Sequence, residues 1–343
     1  MRLAHLLVPV FLAATFGAAA QPATTAVTGA FAGADRSERL ITGARREGSL
    51  TVYSSTAVAD MTLLTDAFER AYGVKVNVWR GTSSDILQRS LTEARAGRND
   101  VDVIETGTAE MEALHREGLL QEFRSPVFAE LMPQAVAPDR PWVASRVSIY
   151  NLAYNTNLVR PADLPKSYAD LADPKWRGKL GIESSDANWF MELATVLGEE
   201  EAVALFRDIV ANNRASVRRG HLLLTNLVAS GEIPLAINVY AHEVEGLRRV
   251  GAPIDELFLA PAIAQFAGIA PLKRAPHPFA AILFTDFLLT EGQRIWAEME
   301  RTPTNLKYQR LPPGVELNVV DDVKFVDESQ KWERLFREIL AGR

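Results

Sequence analysis

The run from Val74 to Leu120, VKVNVWRGTSSDILQRSLTEARAGRNDVDVIETGTAEMEALHREGLL, switches twice from strand periodicity to helix periodicity, and few chain topologies accommodate that. Val74, Val76 and Val78 alternate with polar residues and stop at Trp79-Arg80-Gly81, the pattern of a strand that ends in a break. Thr82, Ser83 and Ser84 then offer N-cap hydroxyls, and Ile86, Leu87, Ser90, Leu91 and Ala94 recur at helical spacing as far as Gly97. Val101 to Ile104 repeats the strand, Glu105-Thr106-Gly107-Thr108 repeats the polar break, and a helix with Met111 and Leu114 follows. Two consecutive βα units put both breaks on one edge of a parallel sheet, the edge at which open α/β sheets bind ligands.

The same rhythm extends in both directions. Ser49 to Tyr53 reads as a strand followed by Ser54-Ser55-Thr56, and Leu63, Leu64, Ala67, Phe68 and Ala71 form the buried stripe of a helix closed by Gly73. Loops at 53–56, 80–84 and 105–108 therefore share an edge. Trp142 to Tyr154 reads as one long strand. Composition shifts after it, with Pro161, Pro165 and Pro174, and a second βα series begins at Lys179 to Ile182, ending in Glu183-Ser184-Ser185-Asp186. A further strand, Pro234 to Tyr240, ends in Tyr240-Ala241-His242, and the apolar extended run Phe258 to Ala270 returns the chain to the first unit. Trp332, Leu335, Phe336, Ile339 and Leu340 mark a terminal amphipathic helix.

A chain of 343 residues is too long for one ordinary core and long enough for two lobes. The boundaries read as lobe 1 over 48–148 and 263–310, lobe 2 over 149–262, and a C-terminal segment over 311–343. Residues 21–47 read as an N-terminal linker and first helix. Residues 1–20, MRLAHLLVPVFLAATFGAAA, join a basic start to a short apolar run and small residues, the pattern of a cleavable secretory signal. An exported chain without a single cysteine, and so without disulfides or thiolate metal sites, points to the periplasm. A net charge of −6 with no basic block argues against nucleic acid as a partner.

Catalytic patterns are weak. His242-Glu243 begins like a zinc-protease H-E-x-x-H, but position 246 is Gly, and no G-x-S-x-G elbow occurs. A secreted hydrolase or lyase remains the alternative from another class. Ser54, Ser55, Thr82, Ser83, Thr106 and Thr108 converge beside helix N-termini, where free N–H groups favour an anion, although each is also an ordinary N-cap type. Arg80 or Arg146 could add a bidentate donor to a carboxylate or phosphonate. Arg218-Arg219-Gly220-His221 reads as a solvated turn.

VYSS at 52–55, AFERAYGVKV at 67–76, DVDVIETG at 100–107, YNT at 154–156, DLADPKWRGKLGI at 170–182, GEIPLAINVY at 231–240, the run APHPFAAILFTDFLLTEGQ and PTN at 303–305 occur in an order that resembles the periplasmic solute-binding components of ABC importers, in the iron(III)-type subgroup. The resemblance implies a type 2 binding-protein fold: two α/β lobes, crossover strands near Arg146 to Tyr154 and near Ala262 to Ala270, and a ligand trapped between them. It also implies a monomer that hands a small-molecule or ion ligand to an inner-membrane permease, with no catalytic residue and no cofactor. Iron-type members carry two consecutive tyrosines where this chain has Tyr240-Ala241, and often a His where it has Ser54-Ser55. The alternative ferric ligand set is therefore reduced to Glu105, Tyr240 and His242. In lobe 2 the resemblance brings Ser185, Asp186, Asn188 and Trp189 to the cleft. Asp186 would repel a purely anionic ligand and favour an amino-bearing or zwitterionic one.

Overall fold

A computed structural model describes residues 24–136, 141–309, 311 and 314–342. The secretory signal expected over residues 1–20 lies outside the described residues. Two short-to-medium helices open the described chain, α1 (Thr25–Gly29) and α2 (Arg36–Glu47). The first falls in a stretch expected to be linker. Thr25 and Thr28 on it are buried, and α1 packs on the later helix over residues 278–289, so tertiary contact orders a segment with no helical periodicity of its own.

The first βα series is β1 (Ser49–Ser54), α3 (Val58–Tyr72), β2 (Lys75–Arg80), α4 (Ser83–Arg95), β3 (Val103–Gly107) and α5 (Thr108–Arg116). Strand β1 lies between β2 and β3 and is parallel to both, so the three polar loops do fall on one edge. Helix α3 stops because Gly73 takes a left-handed φ of 71°, which costs a residue without a Cβ little. Helix α4 starts with a full capping box: Thr82 Oγ1 accepts from the Asp85 N–H, and the Asp85 carboxylate accepts from the Thr82 N–H.

Strand β4 (Val143–Asn155) leaves this series, and β5 (Leu180–Glu183), α6 (Ala187–Leu197), α7 (Glu199–Arg207), β6 (Ser216–Arg218), α8 (His221–Ala229), β7 (Leu235–Tyr240), α9 (Ala241–Arg249) and β8 (Ile254–Leu257) follow. Strand β9 (Ala262–Pro271) returns, followed by α10 (Pro278–Leu289), α11 (Glu291–Glu298), β10 (Thr302–Pro303), β11 (Leu317–Val319) and α12 (Asp322–Leu340). The strand order is β2-β1-β3-β9-β4-β7-β5-β6. Only β4 and β9 sit in the middle of that order, antiparallel to each other, with Ser148 opposite Gln265.

Apolar packing divides where those two strands cross. Side chains as far as Ile149 on β4, and from Ala264 on β9, join one core with β1, β3 and the almost wholly buried α10. Tyr150, Leu152 and Tyr154 on β4, and Ile263 on β9, join a second core with α6 and α7. The protein is thus a two-lobed α/β binding fold whose lobes share two crossover strands. Trp332, Phe336 and Ile339 of α12 belong to the second core, while Asp322 and Asp327 of the same helix reach Thr108 and Arg116 on α5 of the first lobe, at 2.9 and 2.5 Å. Among the described residues no helix is long and apolar enough to cross a membrane.

Candidate functional site

The polar loop edges of the two lobes face each other across a cleft of about 510 Å³ floored by Gln265, Phe266 and Ala267 of β9. On the lobe-1 side the β1 loop brings Ser55, Thr56 and Asp60, the β2 loop brings Arg80, Thr82 and Ser83, and β4 brings Arg146 and Ser148. Arg301, just beyond α11, completes that wall.

Glu105 organises it from behind. Its carboxylate is fully buried; Oε2 accepts from Ser54 Oγ (2.6 Å) and Thr56 Oγ1 (2.9 Å), and Oε1 accepts from Arg146 Nη2 (3.1 Å). Arg146 Nη2 also donates to Thr56 Oγ1 at 2.9 Å. Its Nε is buried with no protein acceptor among the described residues, and the guanidinium lies 5.2 Å from the Trp296 ring centroid. The result is a cation fixed in the wall with donor capacity to spare. Arg301 is held by Asp60, at 2.5 Å from Nη2 and 3.1 Å from Nε, although burial lowers its pKa and Asp60 only partly offsets that.

Lobe 2 presents Ser185, His221, Tyr240, His242 and Glu243. Tyr240 ends β7, its hydroxyl accepting from Gln265 Nε2 at 2.5 Å and standing 3.5 Å from the Tyr150 hydroxyl. Burial, with the Asp186 charge nearby, pushes both phenols well above their ordinary pKa. The Tyr240 ring lies 3.9 Å from that of His221 and is stacked with that of His242 at 5.3 Å and 17°. His221 Nε2 is 3.2 Å from Asp186 Oδ1, and its Nδ1 is 3.3 Å from the Asn238 carbonyl. Burial alone would lower the imidazole pKa, but the charges of Asp186, Glu183 and Glu243 raise it to about 9. Burial raises Asp186 to about 6 against the pull of His221. Burial likewise raises Glu243 to about 7.

Of the residues expected to bind ligand, Ser55, Arg80, Thr82, Ser83, Arg146, Ser185, Tyr240 and His242 line the cleft. Ser54, Glu105 and Thr106 do not: all three are fully buried behind the wall. Trp189 is corrected to core, since its ring is fully buried against Phe206, Tyr168 and Phe336. Asn188 is directed to Gln265 Oε1 at 2.8 Å, and Asp186 is buried beneath His221. His221 corrects the reading of 218–221 as a solvated turn: it heads α8, pointing inward to a buried carboxylate. Thr56, Asp60, Ser148, Glu243, Gln265 and Arg301 were missed. Thr56 carried a local signal as the third hydroxyl of its loop, and Glu243 stood in the His242-Glu243 pair.

Two metal arrangements can be compared with these positions. The set Glu105, Tyr240 and His242 is not open, because both Glu105 oxygens are taken and one faces Arg146. Glu183, Asp186 and His221 have ligand atoms within 4.8 Å of one another. Their donors are also engaged: Glu183 Oε2 accepts from Ser185 N and Oγ at 2.6 and 2.7 Å, and Oε1 accepts from Gly220 N at 2.8 Å.

The sequence profile of bacterial extracellular solute-binding proteins matches residues 50–299. Iron uptake protein A1 of Synechocystis sp. is 26% identical over 285 residues, 78% of this chain and 77% of that protein. The major ferric iron-binding protein of Neisseria meningitidis serogroup B is 24% identical over 258 residues, 71% of this chain and 77% of its own. Iron-bound HitA from Pseudomonas aeruginosa superposes with a TM-score of 0.73 at 21% identity, covering 85% of this chain and 99% of the other. AfuA from Actinobacillus pleuropneumoniae, with bound fructose-6-phosphate, gives 0.71 at 23% identity, covering 86% and 98%. One architecture thus accompanies a protein with bound iron and a protein with bound fructose-6-phosphate.

Proposed function

Since the chain belongs to the bacterial extracellular solute-binding protein family and is ferric-binding-protein-like within it, we propose that it captures a small organic anion between lobes spanning 48–148 with 263–310 and 149–262. It then presents that solute, as a periplasmic monomer, to an inner-membrane ABC permease. Binding without turnover is the family's role, so no residue is assigned to catalysis. The observation that carries the choice of ligand is Arg146: a largely buried guanidinium in the cleft wall whose Nε has no acceptor among the described residues, in a cleft that Ser55 and Ser83 also line. A cleft of about 510 Å³ has the size of a small-molecule site.

Ferric iron is the second reading, favoured by what the named relatives carry. Against it stand Glu105, which is fully buried and hydrogen-bonded at both oxygens, and the one tyrosine among the described residues that lines the cleft, Tyr240, followed by Ala241. Chelator-treated protein screened by thermal shift against carboxylates, phosphonates, sugar phosphates and ferric citrate decides between them, because a tight ligand raises stability by mass action. Stabilisation by an organic anion alone is the expected result. Stoichiometric iron with a visible phenolate band would replace it.

A further inference from the structure

The two walls of the cleft differ in charge. On lobe 1 the cleft-lining Asp60 is tied to Arg301, the buried Glu105 behind the wall is tied to Arg146, and Arg80 stands as a further cation. On lobe 2 the cleft-lining imidazole of His221 is already paired with Asp186. Glu243, half-buried on α9, lines the same cleft, and only its Oε2 is engaged, accepting from Thr225 Oγ1 at 3.0 Å. Among the described residues no group donates a hydrogen bond to its Oε1. Behind it lie Glu183 and Asp186 with the imidazole of His221 between them.

A simple dianion bridging the walls would meet attraction at Arg146 and repulsion at Glu243. Resting on the organic-anion reading above, we infer that the solute is zwitterionic: an acidic group held at Arg146 and the neighbouring hydroxyls, and a primary ammonium, or a cation like it, held by the free oxygen of Glu243. Burial at that carboxyl disfavours its charge, and an ammonium brought against it restores the ionised form. A zwitterion therefore gains at both ends what an anion gains at one.

The test uses probes in matched threes: 4-aminobutyrate, 4-hydroxybutyrate and butyrate; phosphoethanolamine, ethylene glycol monophosphate and ethyl phosphate; glutamate, 2-hydroxyglutarate and glutarate. Thermal shift and calorimetry on the wild-type protein should show the amino member of at least one series binding roughly ten- to a hundredfold tighter than its hydroxy and unsubstituted partners, the scale of one charged hydrogen bond. Glu243→Gln should remove most of that preference without lowering the melting temperature of the unliganded protein. Equal or tighter binding of the hydroxy or unsubstituted members overturns this assignment while leaving the organic-anion reading in place. No stabilisation by any probe, together with stoichiometric ferric binding, overturns both. No stabilisation by any amino member, whatever iron does, overturns the zwitterion. An undiminished preference in Glu243→Gln takes the ammonium away from that side chain.

Discussion

At the residue scale, Arg146 and His221 carry the most consequence. Arg146 pairs with Glu105 and also lines the cleft, and mutation can separate the two. Arg146→Gln should abolish anion binding and also destabilise the fold by about 3–5 kcal/mol, because Glu105 is left buried without its cation. Adding Glu105→Gln should recover most of the stability, measured by urea denaturation, and none of the binding. If binding returns with stability, Arg146 is structural only. His221 supplies a pH signature. Its folded pKa of about 9 lies above its ordinary 6.5, so its contribution is fully present below pH 6.5 and lost as pH rises through 9. The stability gap between wild type and His221→Gln should therefore narrow between pH 7 and pH 10; a constant gap would contradict a charged His221–Asp186 pair.

At the element scale, what the sequence disclosed and what it hid follow from the range of the forces involved. Thr82 before Ile86, and Gly73 after Ala71, are local devices, and both ends lie where their residue types put them. Thr82→Ala should cost about 1 kcal/mol by urea denaturation with α4 otherwise intact. An unchanged midpoint would show that the box adds nothing beyond its hydrogen bonds to water. The cleft was legible only as an edge: hydroxyl loops after β1, β2 and β3 had to converge once the strands were parallel. Which side chain turns outward was not legible, because it depends on partners distant in sequence. Glu105 turns inward since Ser54, Thr56 and Arg146 satisfy it, and His221 turns inward since Asp186 does. Trp189 shows the same limit. A tryptophan in the first turn of a cleft-facing helix can stack on ligand or fill the core, and here Phe206 of the next helix and Phe336 of the distant α12 take it.

At the scale of the whole molecule, two lobes joined by β4 and β9, with α12 packed on the second and hydrogen-bonded to the first, make closure the natural response to a ligand that touches both walls. Small-angle scattering should then give a smaller radius of gyration with the stabilising solute than without it. An unchanged profile would mean that the solute binds one wall only. Arg146 lines the cleft from lobe 1 and Glu243 from lobe 2, with Gln265 between them on the floor. Titration calorimetry of chelator-treated protein separates an organic-anion solute from iron. An organic-anion receptor gives a one-to-one isotherm with a small organic anion, lost in Arg146→Gln/Glu105→Gln, and no comparable heat with ferric citrate. A one-to-one ferric isotherm with a phenolate band that disappears in Tyr240→Phe would contradict it.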